Sequence, residues 1–403
     1  MSLKPVAEAL AAVLAEARRT ETETVPLAEA SGRTLAERLA AKRTQPPFDV
    51  SAMDGYAVCA ADTAAPPARL SLAGESAAGR RFSGRISAGE CARIFTGAPV
   101  PDGADAILIQ ENAKAHGADI TALEAVAAGR HIRRAGYDFT KGQELLAAGR
   151  RLNARDLGLA AAMDHAAVSV FRKPRIAILA TGDELVMPGE AAGPDQITAS
   201  NTFAVAAMAA SAGGEPRDLG IARDTLASLD EAINRALSWK ADALVTLGGA
   251  SAGDHDLVRE ALTARGMTLG FWKIAMRPGK PLMFGRLGGM LALGLPGNPV
   301  SSIVCAELFL KPLIRALSGD PEAGADRSEE AVLGRDLPAN DQRQDYLRAS
   351  LSRGTAGALV ATPFARQDSS LLADIAKAEA LVIRAPFAAA AKAGERVSVI
   401  RLG

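Results

Sequence analysis

The spacing of hydrophobic positions changes character four times along the chain. In residues 1–41 apolar side chains recur three and four apart, as in VAEALAAVLAEA, which predicts helices. PLAEASGRTLAERLAA reads the same way, as two short helices broken at Ser-Gly. From 42 to 142 the pattern turns to short alternating runs (ARLSLAG, CARIFTG, DAILIQE, DITALEAV) punctuated by Pro, Gly and Asp, which predicts a small β-rich unit. NARDLGLAAAMDH restores a helical period within 143–171. The expectation is a helical domain made of 1–41 plus 143–171, with the β-rich unit 42–142 inserted in it and the N-terminal helix able to pack on the next domain.

Residues 172–320 alternate between apolar runs and helical patterns: RIAILAT, SNTFAVAAMAASAGG, PRDLGIARD, TLASLDEAINRALSWK, ADALVTLGG, DLVREALTARG and MLALGLPG. A long helix then begins at NPVSS, with Asn298 as its cap and Pro299 in its first turn. Strands that alternate with helices build a mostly parallel sheet covered on both faces. From 325 to 403, DYLRASLSR, ALVATPFARQ, EALVIRAP and ERVSVIRLG predict a small β-barrel domain. The predicted fold is therefore multidomain α/β: a central three-layer α/β domain, a helical linker domain, an inserted β-rich domain and a C-terminal barrel.

At 403 residues the chain is too long for one ordinary core. Its 46 Lys+Arg balance 46 Asp+Glu, which argues against nucleic acid or a membrane surface as the main partner. Cys59, Cys91 and Cys305 are scattered, the N-terminal pattern is interrupted by Glu8 and Glu16, and no stretch has 18 apolar residues. These features predict a cytoplasmic protein without a disulfide framework or membrane span.

Ligands of parallel α/β sheets gather at the carboxyl ends of the strands. Three loops leave such ends here: TGDEL (Thr181–Leu185), GGASAGDHD (Gly248–Asp256) and LPGNPVS (Leu295–Ser301). The glycine-rich loop, with Gly248, Gly249, Ser251 and Gly253, suits a phosphate, because small residues let backbone N–H groups approach an anion. Asp254 and Asp256 then follow where negative charge would repel it. A magnesium ion between the phosphate and two carboxylates, Asp256 and Glu184, would resolve the conflict. The plainer alternatives are an N-cap for Asp254 and an ordinary solvated loop acid for Glu184 or Asp183. In MRPGKP, Arg277 and Lys280 flank a Pro-Gly turn and form either a fixed cation pair for a doubly charged oxyanion or a solvated basic turn. Ser301 and Ser302 offer hydroxyls at the start of the long helix. PPFDVSAMDGYA mixes Phe48, Met53 and Tyr56 with Asp49 and Asp54, which suits a domain or subunit contact.

Seven segments in order, PPFDVSAMDGYAV, RIFTGAPVPDGAD, IRRAGYDF, TGDEL, GGASAGDHD, RPGKP and LPGNPVS, together resemble the molybdopterin molybdenumtransferase family, relatives of the gephyrin E domain. The resemblance implies an elongated homodimer with its active site between subunits. There molybdate and Mg²⁺ would meet adenylylated molybdopterin, molybdenum would enter the dithiolene, and AMP would leave. It implies Glu184 and Asp256 as Mg²⁺ ligands, with Thr181 and the Gly248–Gly253 loop around the adenylate phosphate. Arg277, Lys280, Ser301 and Arg348 would form the molybdate pocket, and Ser369 and Asp224 match weaker family positions. Asp54, Thr96 and Asp138 would reach the site from the inserted domain of the other subunit. Asp54, Thr96, Asp138, Asp224, Asp256 and Lys280 are the implied catalytic group. The chain departs from the family pattern at Arg277, where Lys is usual, and at Thr246-Leu247, where small serines are expected. Further implied partners are the adenylyltransferase and the enzymes that receive the cofactor. Two rival functions are a molybdopterin adenylyltransferase, which resembles the central domain alone, and a gephyrin-like scaffold, which needs neither the acids nor the cations.

Overall fold

The computed structural model describes residues 3–249, 256–354 and 357–402. The chain forms two compact units, one holding residues 1–23, 32–36 and 169–403, the other residues 24–31 and 37–168.

The first unit is built on a six-stranded sheet of β1 (Arg175–Thr181), β2 (Glu215–Ala222), β3 (Ala243–Leu247), β4 (Thr268–Lys273), β5 (Pro281–Leu287) and β6 (Met290–Leu295), in the order β2-β1-β3-β6-β5-β4. β2, β1, β3 and β6 run parallel; β5 is antiparallel to β6, and β4, antiparallel to β5, returns to the common direction. Strand side chains alternate between faces, so Ile176 and Ile178 enter one core while Ala177 and Leu179 enter the other. The first core also takes Val6, Ala9 and Val13 of α1 (Val6–Glu16), Val205 and Ala209 of α2 (Asn201–Ser211), and Val300 and Val304 of α5 (Pro299–Cys305). The second takes Leu229 and Ile233 of α3 (Leu226–Ser238) and Val258 and Leu262 of α4 (Leu257–Ala264). This is the expected three-layer arrangement.

The long helix expected from Asn298 is continuous but irregular: a π turn, Ala306–Leu310, separates α5 from α6 (Lys311–Leu317). Pro312 explains it. Proline has no N–H for the carbonyl four residues back and its ring crowds that carbonyl, so the helix widens.

Beyond the sheet, β7 (Glu329–Leu333), β8 (Gln344–Arg353), β9 (Leu359–Pro363), β10 (Ala380–Arg384) and β11 (Arg396–Arg401) close in the order β8-β9-β7-β11-β10, with β10 returning to β8. The C-terminal barrel is thus present. A two-residue strand, Met276–Arg277, pairs parallel with the start of β8.

The second unit carries its own six-stranded sheet, ordered Ala106–Ile109, Gly55–Val58, Glu90–Ile94, Ala68–Ser76, Asp119–Ala122 and Ala113–His116. Residues 27–41 correct the helical expectation: a single 3₁₀ turn, Leu27–Glu29, and a strand, Leu39–Ala40, stand where two helices were read. Their backbone groups are taken by the 143–166 segment. Leu27 N–H donates to Ala166 O at 2.9 Å and Ala41 N–H to Gln143 O at 2.9 Å, so tertiary pairing overrides the helical propensity of Ala and Leu. The helix Ala154–Ala162 forms as expected, with Asn153 and Asp156 in a reciprocal capping box. Tyr56, expected at a contact, is instead buried in this unit's core with Val58 and Leu108, whereas Phe48 and Met53 are exposed. Cys59, Cys91 and Cys305 are all free. No helix among the described residues is long and apolar enough to cross a membrane.

Gly55 shows why the Met-Asp-Gly turn needs glycine: a Cβ there would lie 2.0 Å from the Leu108 carbonyl oxygen, on the neighbouring strand. Gly55→Ala is expected to destabilise this unit by about 1–3 kcal/mol through overpacking, read as a lowered melting temperature.

Candidate active site at the strand ends

The parallel strands align their ends. Ala180 of β1 pairs with Leu247 of β3, and Leu247 pairs with Leu295 of β6. Thr181 pairs with Ala222 at the end of β2. The TGDEL, Gly248 and LPGNPVS loops therefore leave the sheet side by side, with Asp224 beyond β2 on the same edge. β5 runs the other way, with Met283 opposite Gly294, so Lys280, just before β5, rises at this edge too.

Close packing demands glycine at the turn. Gly248 and Gly249 have φ of 95° and 66°, and a Cβ would fall 2.8 Å from Thr181 O at the first and 2.3 Å from Val258 Cγ2 at the second. Gly248 N–H donates to Leu295 O at 3.2 Å, and Asn201 Nδ2 holds Gly297 O at 2.7 Å, so the LPGNPVS loop is tied to the Gly248 turn and to the start of α2. Ser251 and Gly253, with Asp254 and His255, lie outside the described residues.

The acids divide by role. Asp183 faces Arg223 at 3.8 Å and accepts from Asp224 N–H at 3.4 Å. The Glu184 carboxylate folds back over Gly182, where a Cβ would meet its Oε2 at 2.3 Å. Asp256 is the N-cap of α4: its Oδ1 accepts from Arg259 N–H at 2.9 Å. It is 3% exposed, and burial pushes its carboxyl above the usual range against the pull of the capping N–H groups. Its Oδ2 has no partner among the described residues, nor have the buried hydroxyls of Thr181, Thr246 and Ser302. Buried polar atoms left unpaired are rare in folded proteins, and these four lie on β1, β3, α5 and at the cap of α4, at or beside the strand-end edge. Among the described residues no three acids, histidines or cysteines gather as a closed metal cage.

The anion-binding candidates come from the barrel and α5. Asn298 does not cap α5 with its side chain; Nδ2 donates instead to Ser369 Oγ at 2.9 Å, and Val300 N–H donates to Ser369 O at 3.1 Å. Ser369 is thereby brought to the start of the helix that carries buried Ser301. Arg348, fully buried, donates through Nη2 to Asp368 O at 3.0 Å and Arg366 O at 3.2 Å, while its Nε and Nη1 have no partner among the described residues. Burial lowers its pKa, against the pull of Asp374 and Asp368. Lys280 is exposed and makes no ion pair among the described residues, but Arg277 pairs with Asp345 and Asp341 of the barrel. The expected cation pair is thus split.

In the second unit, Asp54 Oδ1 accepts from Thr96 N–H at 2.7 Å and Thr96 Oγ1 at 2.8 Å, which holds its carboxyl below the usual range. Asp138 is not beside them. The ribbon pairing Ile132 with Ser51 continues to Asp138, whose N–H donates to Gln45 O at 3.1 Å, at the far end from Asp54.

Comparison with known proteins agrees with this architecture. Residues 4–163 match the MoeA N-terminal region (domain I and II), 177–316 a probable molybdopterin binding domain, and 330–402 the MoeA C-terminal region (domain IV). The molybdopterin molybdenumtransferase of Bacillus subtilis is 35% identical over 406 residues, covering 98% of this chain and 93% of its own. That of Haemophilus influenzae is 34% identical over 381 residues, covering 94% of each. The chain belongs to the molybdopterin molybdenumtransferase family. The crystal structure of the molybdopterin biosynthesis MoeA protein from Pyrococcus horikoshii superposes with a TM-score of 0.82 at 30% identity, covering 99% of each chain.

Sequence reasoning about this molybdopterin molybdenumtransferase family member passed over Asn201 and Asp345. Asn201 carried a signal, a polar residue where a helix begins at a strand-end edge. Asp345 carried none, because its partner Arg277 lies 68 residues away.

Asp256→Asn keeps a good N-cap and removes the buried charge. Because the folded-state pKa of Asp256 is raised, its ionised form costs stability. That cost is absent below the ordinary value of 3.8, grows as pH rises through the folded pKa, and is complete above it. Without divalent cations, Asp256→Asn is expected to be more stable than wild type at neutral pH, with the gap closing below about pH 4 in urea unfolding.

Proposed function

We propose that this chain carries out the last assembly step of the molybdenum cofactor, taking molybdate and adenylylated molybdopterin and releasing AMP. The observation that carries the reading is Asp256 Oδ2, a buried carboxylate oxygen without a partner among the described residues, on the strand-end edge that also carries Glu184 and the Thr181 hydroxyl. A hard divalent cation suits oxygen donors of this kind, so Asp256 and Glu184 would hold Mg²⁺. When bound, Mg²⁺ supplies neutralisation of the phosphate and polarisation of its linkage to the pterin.

The chain's own groups account for the remainder. Thr181 and the loop Gly248, Gly249, Ser251 and Gly253 receive the adenylate phosphate through hydroxyl and N–H groups, with Gly248 serving as the turn, its own N–H held by Leu295 O. Lys280, Arg348, Ser301 and Ser369 receive molybdate, a tetrahedral dianion matched by cations and hydroxyl donors. Asp224 completes the edge on the β2 side. Positioning and fixed charge supply most of the rate in this reading, since no side chain stands out as a general base. The three matched regions run from residue 4 to residue 402, whereas an adenylyltransferase resembles the central domain alone.

The same reading carries the homodimer, the cytoplasmic location and the division into 1–41 plus 143–171, 42–142, 172–320 and 325–403. Asp54, Thr96 and Asp138 act on the site of the other subunit, and exposed Phe48, Met53 and Tyr137 suit an interface near them.

Purified protein given Mg²⁺, molybdate and adenylylated molybdopterin is expected to release AMP. Asp256→Ala should lower that rate about a hundredfold or more with the far-UV spectrum unchanged, and undiminished turnover would remove the metal assignment. No AMP from wild type, with tight binding of partner proteins, would favour the scaffold. Mixing inactive Asp54→Ala with inactive Asp256→Ala chains should restore about a quarter of wild-type activity, because a twofold dimer with shared sites regains one intact site per mixed pair. No recovery in the mixture would place Asp54 and Asp256 of each site within a single subunit.

A further inference from the structure

Asp345 is the second residue of β8 and is 3% exposed. A carboxylate so deeply buried needs a cation, and Arg277 Nη2 pairs with its Oδ2, whereas its Oδ1 has no partner among the described residues. The same guanidinium reaches Asp341 Oδ2 at 3.4 Å and Asn340 Oδ1 at 3.3 Å. Asp341 is also held by Arg343 at 2.7 Å, and the Arg343 guanidinium keeps its carboxyl at about 2, so it stays ionised. In this clasp two arginines face two aspartates, and Arg384 lies opposite Asp345 on β10. Arg277 would meet a dianion with Nη1 and Nη2 already engaged by Asp345, Asp341 and Asn340, and beside two carboxylates that repel it. Lys280 faces no such competition among the described residues.

The backbone fixes the same division. Arg277 pairs with Asp345 in the parallel bridge to the barrel, and Gln344 N–H donates to Ala275 O at 2.9 Å. Two residues on, Gly279 has φ of 112°, and a Cβ there would lie 2.4 Å from Met276 Cε and 2.5 Å from Cys305 Sγ of α5. The turn is pinned to the barrel on one side and to α5 on the other, and Lys280 follows directly from it.

We propose that Arg277 is a positioning residue and not an oxyanion ligand: clasped to Asp345, Asp341 and Asn340, it fixes the loop that presents Lys280 to molybdate. This inference rests on the function proposed above. It also accounts for arginine where the resembled family usually has lysine. A planar fork reaches several acceptors at once, which a compact ammonium does not.

A double-mutant cycle on the full-length protein tests it. Arg277→Met leaves Asp345 buried without its paired guanidinium, and should raise the KM for molybdate about fivefold while leaving the KM for the adenylylated pterin unmoved. Arg277→Met with Asp345→Asn removes both charges and should return the molybdate KM to within about twofold of wild type, with the melting temperature recovering in parallel. Arg277→Lys guards against misfolding of the Met variant and should give an intermediate KM. A double variant as impaired in molybdate KM as Arg277→Met would make Arg277 a direct ligand and overturn the proposal. So would an Arg277→Met or Arg277→Lys protein whose molybdate KM equals wild type. Absence of AMP release from wild type would instead sink the proposed function, and the melting-temperature cycle would still report whether 277 and 345 are coupled.

Discussion

Everything at the candidate site depends on the register of three parallel strands. Ala180, Leu247 and Leu295 lie in one row, and each is followed at once by a loop with polar or glycine residues. The side-chain period of a strand is two, so a slip of one residue would push Ile178, Val245 and Leu293 into the opposite core, where Ala177, Leu244 and Ala292 now fit. Burial of both faces therefore locks the register, and the locked register sets the loops level with one another. The geometry of the edge is a by-product of hydrophobic packing several residues below it.

On that edge the protein tolerates features that a purely structural edge would avoid. Glycines with positive φ, and a buried aspartate oxygen and hydroxyls that have no partner among the described residues, all oppose stability. Each is compensated only in part by local bonds, such as the cap that Asp256 provides to α4. Around it, the supporting contacts are well satisfied: Asn201 on Gly297, Asn298 on Ser369, and Gln367 accepting from Arg348 N–H at 3.0 Å. Idle groups in the middle and committed groups at the margin form the pattern expected of a preorganised polar site.

Much of this was legible in the sequence. RIAILAT, ADALVTLGG and MLALGLPG are buried on both faces and so read as continuous apolar runs bounded by glycine, the least ambiguous strand signal available. TLGFWK and PLMFGRL, which form β4 and β5, were not picked out, and their antiparallel pairing has no local signature. Residues 27–41 misled because helix propensity is weak and yields to long-range pairing. The split between Arg277 and Lys280 was invisible for a related reason: two cations three apart look like a pair until the distant acid that claims one of them is known.

The π turn between α5 and α6 has a consequence of its own. Relative to a regular helix, one extra residue in the turn rotates everything after it by about 100°. The rod that starts against β6 and α2 thus acquires contact with α1 as it proceeds, and Glu307 within the turn meets Lys311 at 2.7 Å and Arg327 at 2.7 Å. A single-residue deletion there would straighten the rod and swing its second half off its neighbours. Pro312 thereby acts as a spacer that tells one helix to serve two differently oriented surfaces.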